Sequence, residues 1–231
     1  MKKILIILTS HEGMENTDSK TGVWLGEFTE PYYELFDHGC KITLASPAGG
    51  EPPIDPMSKL TENITESNRR FQGDVVLQSA FAHTYKLESI DPNEYDAVFF
   101  PGGHGPLWDL ASNTTTGRII VDMINAGKPV AAVCHGPAAL ISAAKTKIGF
   151  LKGKRVTGFT NTEEALVLRS ENIPYKLETR LKELGADFHS ALIPMTSHVE
   201  IDGLLVTGQN PLSAGPTAKA LIEVLGIEKK N

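Results

Sequence analysis

Cys134 stands where the sequence predicts a sharp turn between a strand and a helix. The apolar run Val130–Val133 is typical of a buried strand, and Pro137 suits the first turn of a helix. Such a turn, given steric room by Gly136, presents its central side chain at the sheet edge, as in a nucleophile elbow. The helix N-terminus that follows would lower the pKa of the thiol and offer an N–H group to an oxyanion. A free cysteine is more often a core residue, but a core residue requires neither the turn nor the adjacent histidine, so we predict a nucleophile.

Two polar segments follow other predicted strands in the same way. Thr9–Glu12 comes after the apolar run Ile4–Leu8, and the glycine-rich segment Pro101–Gly105 comes after Ala97–Phe100. Ligands of open α/β sheets bind at the carboxyl ends of the strands. We therefore expect both segments and Cys134 to contribute to one site.

The glycine-rich segment predicts an oxyanion or substrate contact. Gly102 and Gly103 end a strand without side chains, which leaves their backbone N–H groups free to face an anion. A phosphate-binding loop is not favoured, because no Gly-Lys-Ser/Thr follows. His104 is expected either to line the pocket or to be a structural turn residue, and these alternatives stay open.

The elements that must position these residues alternate between short apolar runs and amphipathic stretches. This pattern predicts an α/β fold with a doubly wound, mostly parallel sheet and helices on both faces. Besides the three runs named above, strands are predicted at Lys41–Ala45, Arg155–Gly158, Val199–Ile201 and Leu204–Thr207. Helices are predicted at Thr21–Phe36, Thr115–Ala126 and Ser213–Leu225.

Two stretches do not follow this alternation. Gly49–Asp91 is too long for an ordinary loop, and we interpret it as a cap-like excursion over one end of the sheet. Ala165–Leu184 is predicted to be helical, with an interruption at Pro174. Because the chain shows no repeat and no linker, we expect a single domain over residues 1–231.

The composition excludes several classes of function. Lys and Arg number 22 against 28 Asp and Glu, which gives a formal net charge of −6 and argues against nucleic-acid or anionic-membrane partners. The two cysteines, Cys40 and Cys134, form no Cys-x-x-Cys pair, so neither a disulfide framework nor a cysteine-rich zinc site is expected. Cys40 is interpreted as an inert core thiol. We expect a cytoplasmic protein without a bound metal.

Five segments together resemble a known family. They are Ala132–Pro137, Pro101–Gly105, Thr157–Thr160, Lys20–Val23 and Val206–Pro211. With them the chain resembles the ThiJ/PfpI superfamily and, within it, the heat-shock chaperone and glyoxalase III branch. The resemblance spans nearly the whole chain, and its most specific part is the Cys-His-Gly-Pro elbow combined with Gly-His-Gly. It implies a flavodoxin-like fold and a homodimer.

The resemblance assigns catalytic roles to residues that spacing alone does not single out. His135 is expected to join a Cys-His-acid triad, with Glu164 as the acid and Glu163 as the rival candidate. Glu27 is expected to place a carboxyl group against the thiol, where burial would raise its pKa. A helical wheel does not distinguish Glu27 from Glu30 or Glu34. The resemblance and the predicted geometry together make the N–H groups of Gly103 and His135 the oxyanion donors.

The implied activity is a glyoxalase III reaction that requires no cofactor and no glutathione. It would convert methylglyoxal or a similar 2-oxoaldehyde into a hydroxyacid such as D-lactate, with deglycation of glycated proteins as a related activity.

Two alternatives stay open. One is a PfpI-type peptidase or an amidase, since His198-Val199-Glu200 superficially matches the His-x-Glu of amidotransferases. The other is a holdase chaperone or oxidative-stress sensor for unfolded proteins, with Phe71 and Phe81 covering a client-binding surface.

Overall fold

The computed structural model describes residues 1–227 and contains a central seven-stranded sheet. Its strands are β1 (Lys3–Ile7), β2 (Lys41–Ser46), β3 (Tyr85–Lys86), β4 (Ala97–Phe100), β5 (Val130–Val133), β8 (Val199–Asp202) and β9 (Leu205–Gly208). Their order is β3-β2-β1-β4-β5-β9-β8, and all neighbours are parallel except β8 and β9. A separate two-stranded parallel sheet pairs β6 (Arg155–Val156) with β7 (Asp187–Phe188). The predicted doubly wound α/β fold is confirmed.

Helices cover both faces of the central sheet. They are α1 (Leu25–Asp37), α2 (Glu66–Gly73), α3 (Val75–Ala82), α4 (Thr114–Asn125), α5 (Ala139–Thr146), α6 (Asn161–Leu166), α7 (Leu177–Glu183) and α8 (Ala214–Val224). Helices α1 and α8 pack together on one face, and α4 and α5 pack together on the other. Strand β1 is continuously apolar because both of its faces are buried. Ile4 and Ile6 belong to the hydrophobic cluster on one face of the sheet, and Leu5 and Ile7 belong to the cluster on the other. Within residues 1–227, no helix is both long enough and apolar enough to cross a membrane.

Helix α1 begins at Leu25 rather than at Thr21 as predicted. The preceding residues are extended because Val23 donates to the Pro53 carbonyl at 2.8 Å and accepts from the Asp55 N–H at 2.9 Å. A Cβ atom on Gly22 would collide with the same Pro53 carbonyl. Tertiary pairing with the 49–91 segment therefore overrides the helical pattern.

Residues 49–91 lie between β2 and β4 and contain three 3₁₀ turns, α2, α3 and β3. Helix α2 packs on α1, where Thr29 donates to the buried Asn68 side chain at 2.6 Å. Phe71 and Phe81 are buried against Phe28, with ring centroids 6.0 and 5.2 Å from it. These two side chains are core residues, so the prediction that they cover a client-binding surface is wrong.

The predictions for the chain after α5 are only partly correct. The strand predicted at Arg155–Gly158 is shortened to β6 and lies outside the central sheet. Its continuation turns towards the elbow, where the Phe159 N–H donates to the Cys134 carbonyl at 2.9 Å.

The helix predicted over Ala165–Leu184 is interrupted, since α6 ends at Leu166 and α7 begins at Leu177. The irregular residues between them are held by tertiary contacts, such as the 2.7 Å hydrogen bond from the Tyr175 hydroxyl to the Leu107 carbonyl.

Candidate active site

Cys134 occupies a strained turn directly after β5. Its φ of 59° lies in the left-handed region, which costs a residue with a side chain on the order of 1–3 kcal/mol. The turn is held by hydrogen bonds from the Cys134 N–H to the Gly208 carbonyl and from the Phe159 N–H to the Cys134 carbonyl, both 2.9 Å. Gly136 packs so closely on β4 that a Cβ atom would collide with the Phe100 carbonyl. This conformation lets the side chains of two consecutive residues, Cys134 and His135, converge.

Cys134, His135 and Glu164 form a buried hydrogen-bonded triad. The sulfur lies 3.5 Å from His135 Nδ1, and His135 Nε2 lies 2.7 Å from Glu164 Oε2. Because a carboxylate only accepts, the proton of the neutral ring is assigned to Nε2, which leaves the Nδ1 lone pair facing the thiol. Burial raises the pKa of Glu164, but attraction to His135 and hydrogen bonds from His104 and His135 outweigh it and lower the pKa below its usual range. Glu164 is therefore a buried carboxylate that orients His135.

Glu163 points away from the triad and ties three segments together. Its Oε2 accepts from the N–H and hydroxyl groups of Thr160, at 2.9 and 3.0 Å, in a capping box at the start of α6. Its Oε1 accepts from Met195 N–H, Gln209 Nε2 and Asn210 Nδ2 at 2.8–2.9 Å. Of the two candidate carboxylates, the structure brings Glu164 to His135 and gives Glu163 a structural position.

Glu27 lies on α1 on the other side of the sulfur and is fully buried. Burial raises its pKa to about 8, although contacts with the Cys134 thiol and the Gly102 backbone oppose the shift. Within residues 1–227, neither carboxyl oxygen makes a hydrogen bond of regular geometry. The rival Glu34 instead lies 3.7 Å from His38, and the carboxyl of Glu30 approaches Gly215 and Thr65. Glu27 is therefore the α1 carboxyl that reaches the thiol, and it holds its proton at neutral pH.

The pKa of the Cys134 thiol differs from the sequence-based expectation. Burial and the neighbouring carboxyls Glu27, Glu163 and Glu164 raise it well above its usual range. The chain after the elbow also opens with the 3₁₀ turn Gly136–Ala138, so α5 begins only at Ala139. The prediction of a thiol acidified by a helix N-terminus is therefore wrong. A neutral thiol requires a base to remove its proton, and His135 Nδ1 is positioned to do so.

The turns after β4 and β5 each carry a candidate oxyanion donor. Within residues 1–227, the N–H groups of Gly103 and His135 donate to no acceptor. A Cβ atom on Gly103 would collide with the Gly22 carbonyl, and one on Gly102 would lie 2.7 Å from the Val133 carbonyl. The ends of β4 and β5 thus approach at a distance that only glycine allows. Their role as oxyanion donors remains a prediction.

Of the two alternatives left open for His104, a pocket-lining residue and a structural turn residue, the structure favours the second. His104 Nε2 lies 2.8 Å from Glu164 Oε1, and Arg169 donates to its Nδ1 at 3.2 Å. Burial, and then the charges of His135 and Arg169, lower its pKa to about 4, so the ring is neutral. Both ring nitrogens are occupied by protein partners, and none is free for a ligand. Sequence reasoning missed Arg169 and its partner Asp55, because no local pattern connects residues so far apart.

The remaining candidates lie outside the triad. Thr9 and the Ser10 N–H bind the Asp109 carboxylate at 2.8 and 2.7 Å, and His11 stacks on Trp108 at 4.6 Å. Thr9–Glu12 was predicted to contribute to the site with Cys134, but its contacts instead brace the loop after Gly105.

His198, just before β8, pairs with Glu200 at 3.0 Å and makes no hydrogen bond to Cys134. Cys40 is buried in the core, as predicted.

Among residues 1–227, one group of side chains has metal-ligand chemistry. Ligand atoms of His104, His135 and Glu164 lie within 4.8 Å of one another. Both carboxylate oxygens of Glu164 are already used by the two imidazole rings at hydrogen-bond distance. We therefore interpret the group as a hydrogen-bonded network.

Comparison with known proteins places this geometry in a family. The sequence model of the DJ-1/PfpI family matches residues 2–224. The chain belongs to the DJ-1/PfpI family. Glyoxalase 3 of Candida albicans is 32% identical to it, over 96% of this chain and 98% of that protein. A glutathione-independent glyoxalase of Schizosaccharomyces pombe is 31% identical, over 96% and 95% respectively.

Solved structures show the same likeness. The rapid encystment protein of 24 kDa from Francisella tularensis superposes with a TM-score of 0.92, at 38% identity over 97% of this chain and 99% of that one. Glyoxalase III from Candida albicans superposes with a TM-score of 0.87, at 30% identity over 99% and 98%. The predicted resemblance to the superfamily and its glyoxalase III branch is confirmed.

Proposed function

We propose that this DJ-1/PfpI protein is a glutathione-independent glyoxalase that converts methylglyoxal or a similar 2-oxoaldehyde into a 2-hydroxyacid. The observation that carries the proposal is the buried triad of Cys134, His135 and Glu164, with protonated Glu27 on the other side of the sulfur. Relatives aligned over nearly the whole chain are named glyoxalases. The four side chains supply a nucleophile, a base and an acid, so the reaction requires no cofactor.

The first step forms a hemithioacetal. His135 Nδ1 takes the thiol proton as the sulfur attacks the aldehyde carbon, and Glu164 stabilises the imidazolium that results. The developing alkoxide accepts hydrogen bonds from the Gly103 and His135 N–H groups. It then takes the proton from His135, which returns to its neutral form. The raised thiol pKa suits this order, because the thiolate forms only as it reacts.

The second step moves a hydrogen between adjacent carbons. His135 removes the proton from the carbon bonded to sulfur, while Glu27 donates its proton to the neighbouring carbonyl oxygen, which gives an enediol. His135 then protonates the second carbon, and the Glu27 carboxylate takes the hydroxyl proton from the first. The product is a 2-hydroxyacyl thioester on Cys134. Water activated by His135 hydrolyses it, which releases the hydroxyacid and the thiol.

The enclosure of the sulfur favours a small substrate. Cys134 is only 3% exposed, and a peptide would need more of the sulfur uncovered than a 2-oxoaldehyde does. We therefore place the peptidase and amidase alternatives below the glyoxalase. Deglycation of protein adducts would use the same nucleophile but requires the site to open further.

The cellular setting is also a proposal. We propose a cytoplasmic homodimer that uses its thiol during chemical stress. The two free cysteines of the chain suit a reducing compartment. Light scattering of the purified protein tests the dimer, and aggregation assays with a Cys134→Ala variant test whether a chaperone activity exists apart from the chemistry.

Turnover of methylglyoxal in buffer free of small thiols tests the proposed function. We expect D-lactate from the wild type and a loss of at least about a thousand-fold in kcat for Cys134→Ser. The matched control is Cys40→Ala, which removes the other buried thiol and should keep kcat within about two-fold. Full turnover by Cys134→Ser would overturn the mechanism.

A further inference from the structure

Glu164 is held by two histidines. Its Oε2 accepts from His135 Nε2 at 2.7 Å, and its Oε1 accepts from His104 Nε2 at 2.8 Å. The rings of the two histidines pack against each other with centroids 4.0 Å apart. All three residues are at most 5% exposed, so water does not compete for these hydrogen bonds. The carboxylate plane is therefore fixed from both ends.

The tautomer of His104 is set by Arg169. The guanidinium donates to His104 Nδ1 at 3.2 Å, and a guanidinium has no acceptor to offer in return. Nδ1 must therefore be the unprotonated nitrogen, and the ring proton resides on Nε2, which faces Glu164. A protonated ring would place its second N–H against the cationic Arg169.

Arg169 is anchored by a buried aspartate. Its guanidinium donates to Asp55 Oδ2 at 2.7 Å, and Asp55 is fully buried. The same carboxylate accepts from the Thr21 hydroxyl and from the Met57 N–H, both at 2.9 Å. Asp55 belongs to the 49–91 segment, and Arg169 belongs to the irregular segment after α6. The two stretches that break the α/β alternation thus meet behind the triad.

We propose that His104 is a positioning residue for the proposed glyoxalase reaction: held by Asp55 and Arg169, it fixes Glu164 so that His135 points its free nitrogen at Cys134. The inference rests on the proposed function for its reaction, but the geometry of the base can be tested without it. A carboxylate bound to a single histidine can rotate about its side-chain bonds. Displacing a catalytic base by about 1 Å can lower the rate by about a hundred-fold.

Substitutions at His104 separate positioning from substrate binding. We expect His104→Leu to lower kcat for methylglyoxal by about 10- to 100-fold while KM changes by less than about two-fold. His104→Gln keeps an N–H donor for Glu164 and should recover most of the lost activity. The control variant is His198→Leu, which removes a histidine paired with Glu200. It should leave kcat and KM unchanged.

Substitutions at Arg169 test the contact that holds His104 from its other side. Arg169→Met removes the hydrogen bond to His104 Nδ1 and should lower kcat by about ten-fold. Arg169→Lys retains a donor and should recover part of the lost activity. Arg180→Met, which removes an exposed arginine paired with Glu183, is the matched control.

A pH profile of Cys134 alkylation by iodoacetamide gives a readout that does not require turnover. The titratable and charged groups that face His104 are His135, Glu164 and Arg169. Without the His104 hydrogen bond, Glu164 concentrates more charge towards His135 and stabilises its protonated form. We therefore expect the acid limb of the profile to move to higher pH in His104→Leu and to return in His104→Gln.

Two results would overturn the positioning role. One is an unchanged alkylation profile and kcat in His104→Leu; the other is a loss confined to KM, which would make His104 a substrate contact. If the wild type turns over no 2-oxoaldehyde, the proposed function fails, and the alkylation profiles still decide whether His104 positions the base. Circular dichroism checks that each variant folds. If His104→Leu does not fold, the profiles of His104→Gln and the two Arg169 variants decide.

Discussion

Replacing Glu27 by glutamine is expected to stabilise the folded protein while it removes most of the activity. The carboxyl group is fully buried beside the Cys134 thiol, and its pKa rises from 4.5 to about 8. Glutamine has nearly the same size and is neutral at every pH. The substitution therefore removes the cost of keeping a buried carboxyl group protonated, and it opens no cavity. It also removes the proton donor that the proposed reaction requires.

The sign and size of the effect follow from the two pKa values. Between pH 4.5 and about 8, the unfolded chain releases the Glu27 proton and the folded chain retains it, so the free energy of unfolding falls as pH rises. Below this window both states are protonated, and above it both are ionised. At pH 7 the penalty is about 3 kcal/mol, since each pH unit corresponds to about 1.4 kcal/mol. Glu27→Gln should thus exceed the wild type by up to about 3 kcal/mol at pH 7 and match it near pH 4.5.

Urea unfolding of wild type and variant across this pH window measures the difference. The control is Glu223→Gln, an exposed glutamate on α8, which should stay within about 0.5 kcal/mol of the wild type throughout. A Glu27→Gln protein that is less stable than the wild type at pH 7 would refute the reasoning. A stability difference that does not grow with pH would refute it equally.

Three other predictions concern Cys134 and the carboxyl groups near it. Glu164→Gln should lower kcat by about a hundred-fold or more with a small change in Tm, because His135 can switch tautomer to accept from the amide N–H, which puts a proton on the Nδ1 that must take the thiol proton. Glu163→Gln should instead lower Tm by about 5–15 °C, because the amide NH2 group would face N–H and O–H donors that now donate to the carboxylate. Thermal unfolding and steady-state kinetics of both variants measure this difference. In a Cys40→Ala background, the pKa of the Cys134 thiol should lie above its usual range, and Glu27→Gln should lower it. A Cys134 thiol that is ionised at neutral pH would contradict this prediction.

The central sheet and the nucleophile turn could be predicted because their signals are local. The apolar runs of β1, β4 and β5 are continuous because both faces of a parallel sheet are buried. The elbow is encoded by neighbours in sequence, Cys134 to Pro137, and by the small residues that the turn requires. Its strained φ at Cys134 is what brings the adjacent His135 back to the sulfur.

The features that could not be predicted depend on contacts between distant segments. Helix α1 starts late because Val23 pairs with residues 53–55, and β6 leaves the central sheet to pair with β7. The thiol pKa was expected to fall, since a helix terminus is visible in sequence. The carboxyls that raise it come from α1 and α6, and their distance from the sulfur is set only by the fold. The partners of His104 were hidden for the same reason.

The most direct test of the proposed chemistry is mass spectrometry of the Cys134 peptide after rapid acid quenching during methylglyoxal turnover. The mechanism predicts a covalent adduct on Cys134, as a hemithioacetal or 2-hydroxyacyl thioester, that forms without glutathione and disappears when substrate is exhausted. Cys134→Ala should form neither adduct nor lactate. Lactate produced at the same rate by Cys134→Ala as by the wild type, with no adduct on the wild-type cysteine, would contradict it.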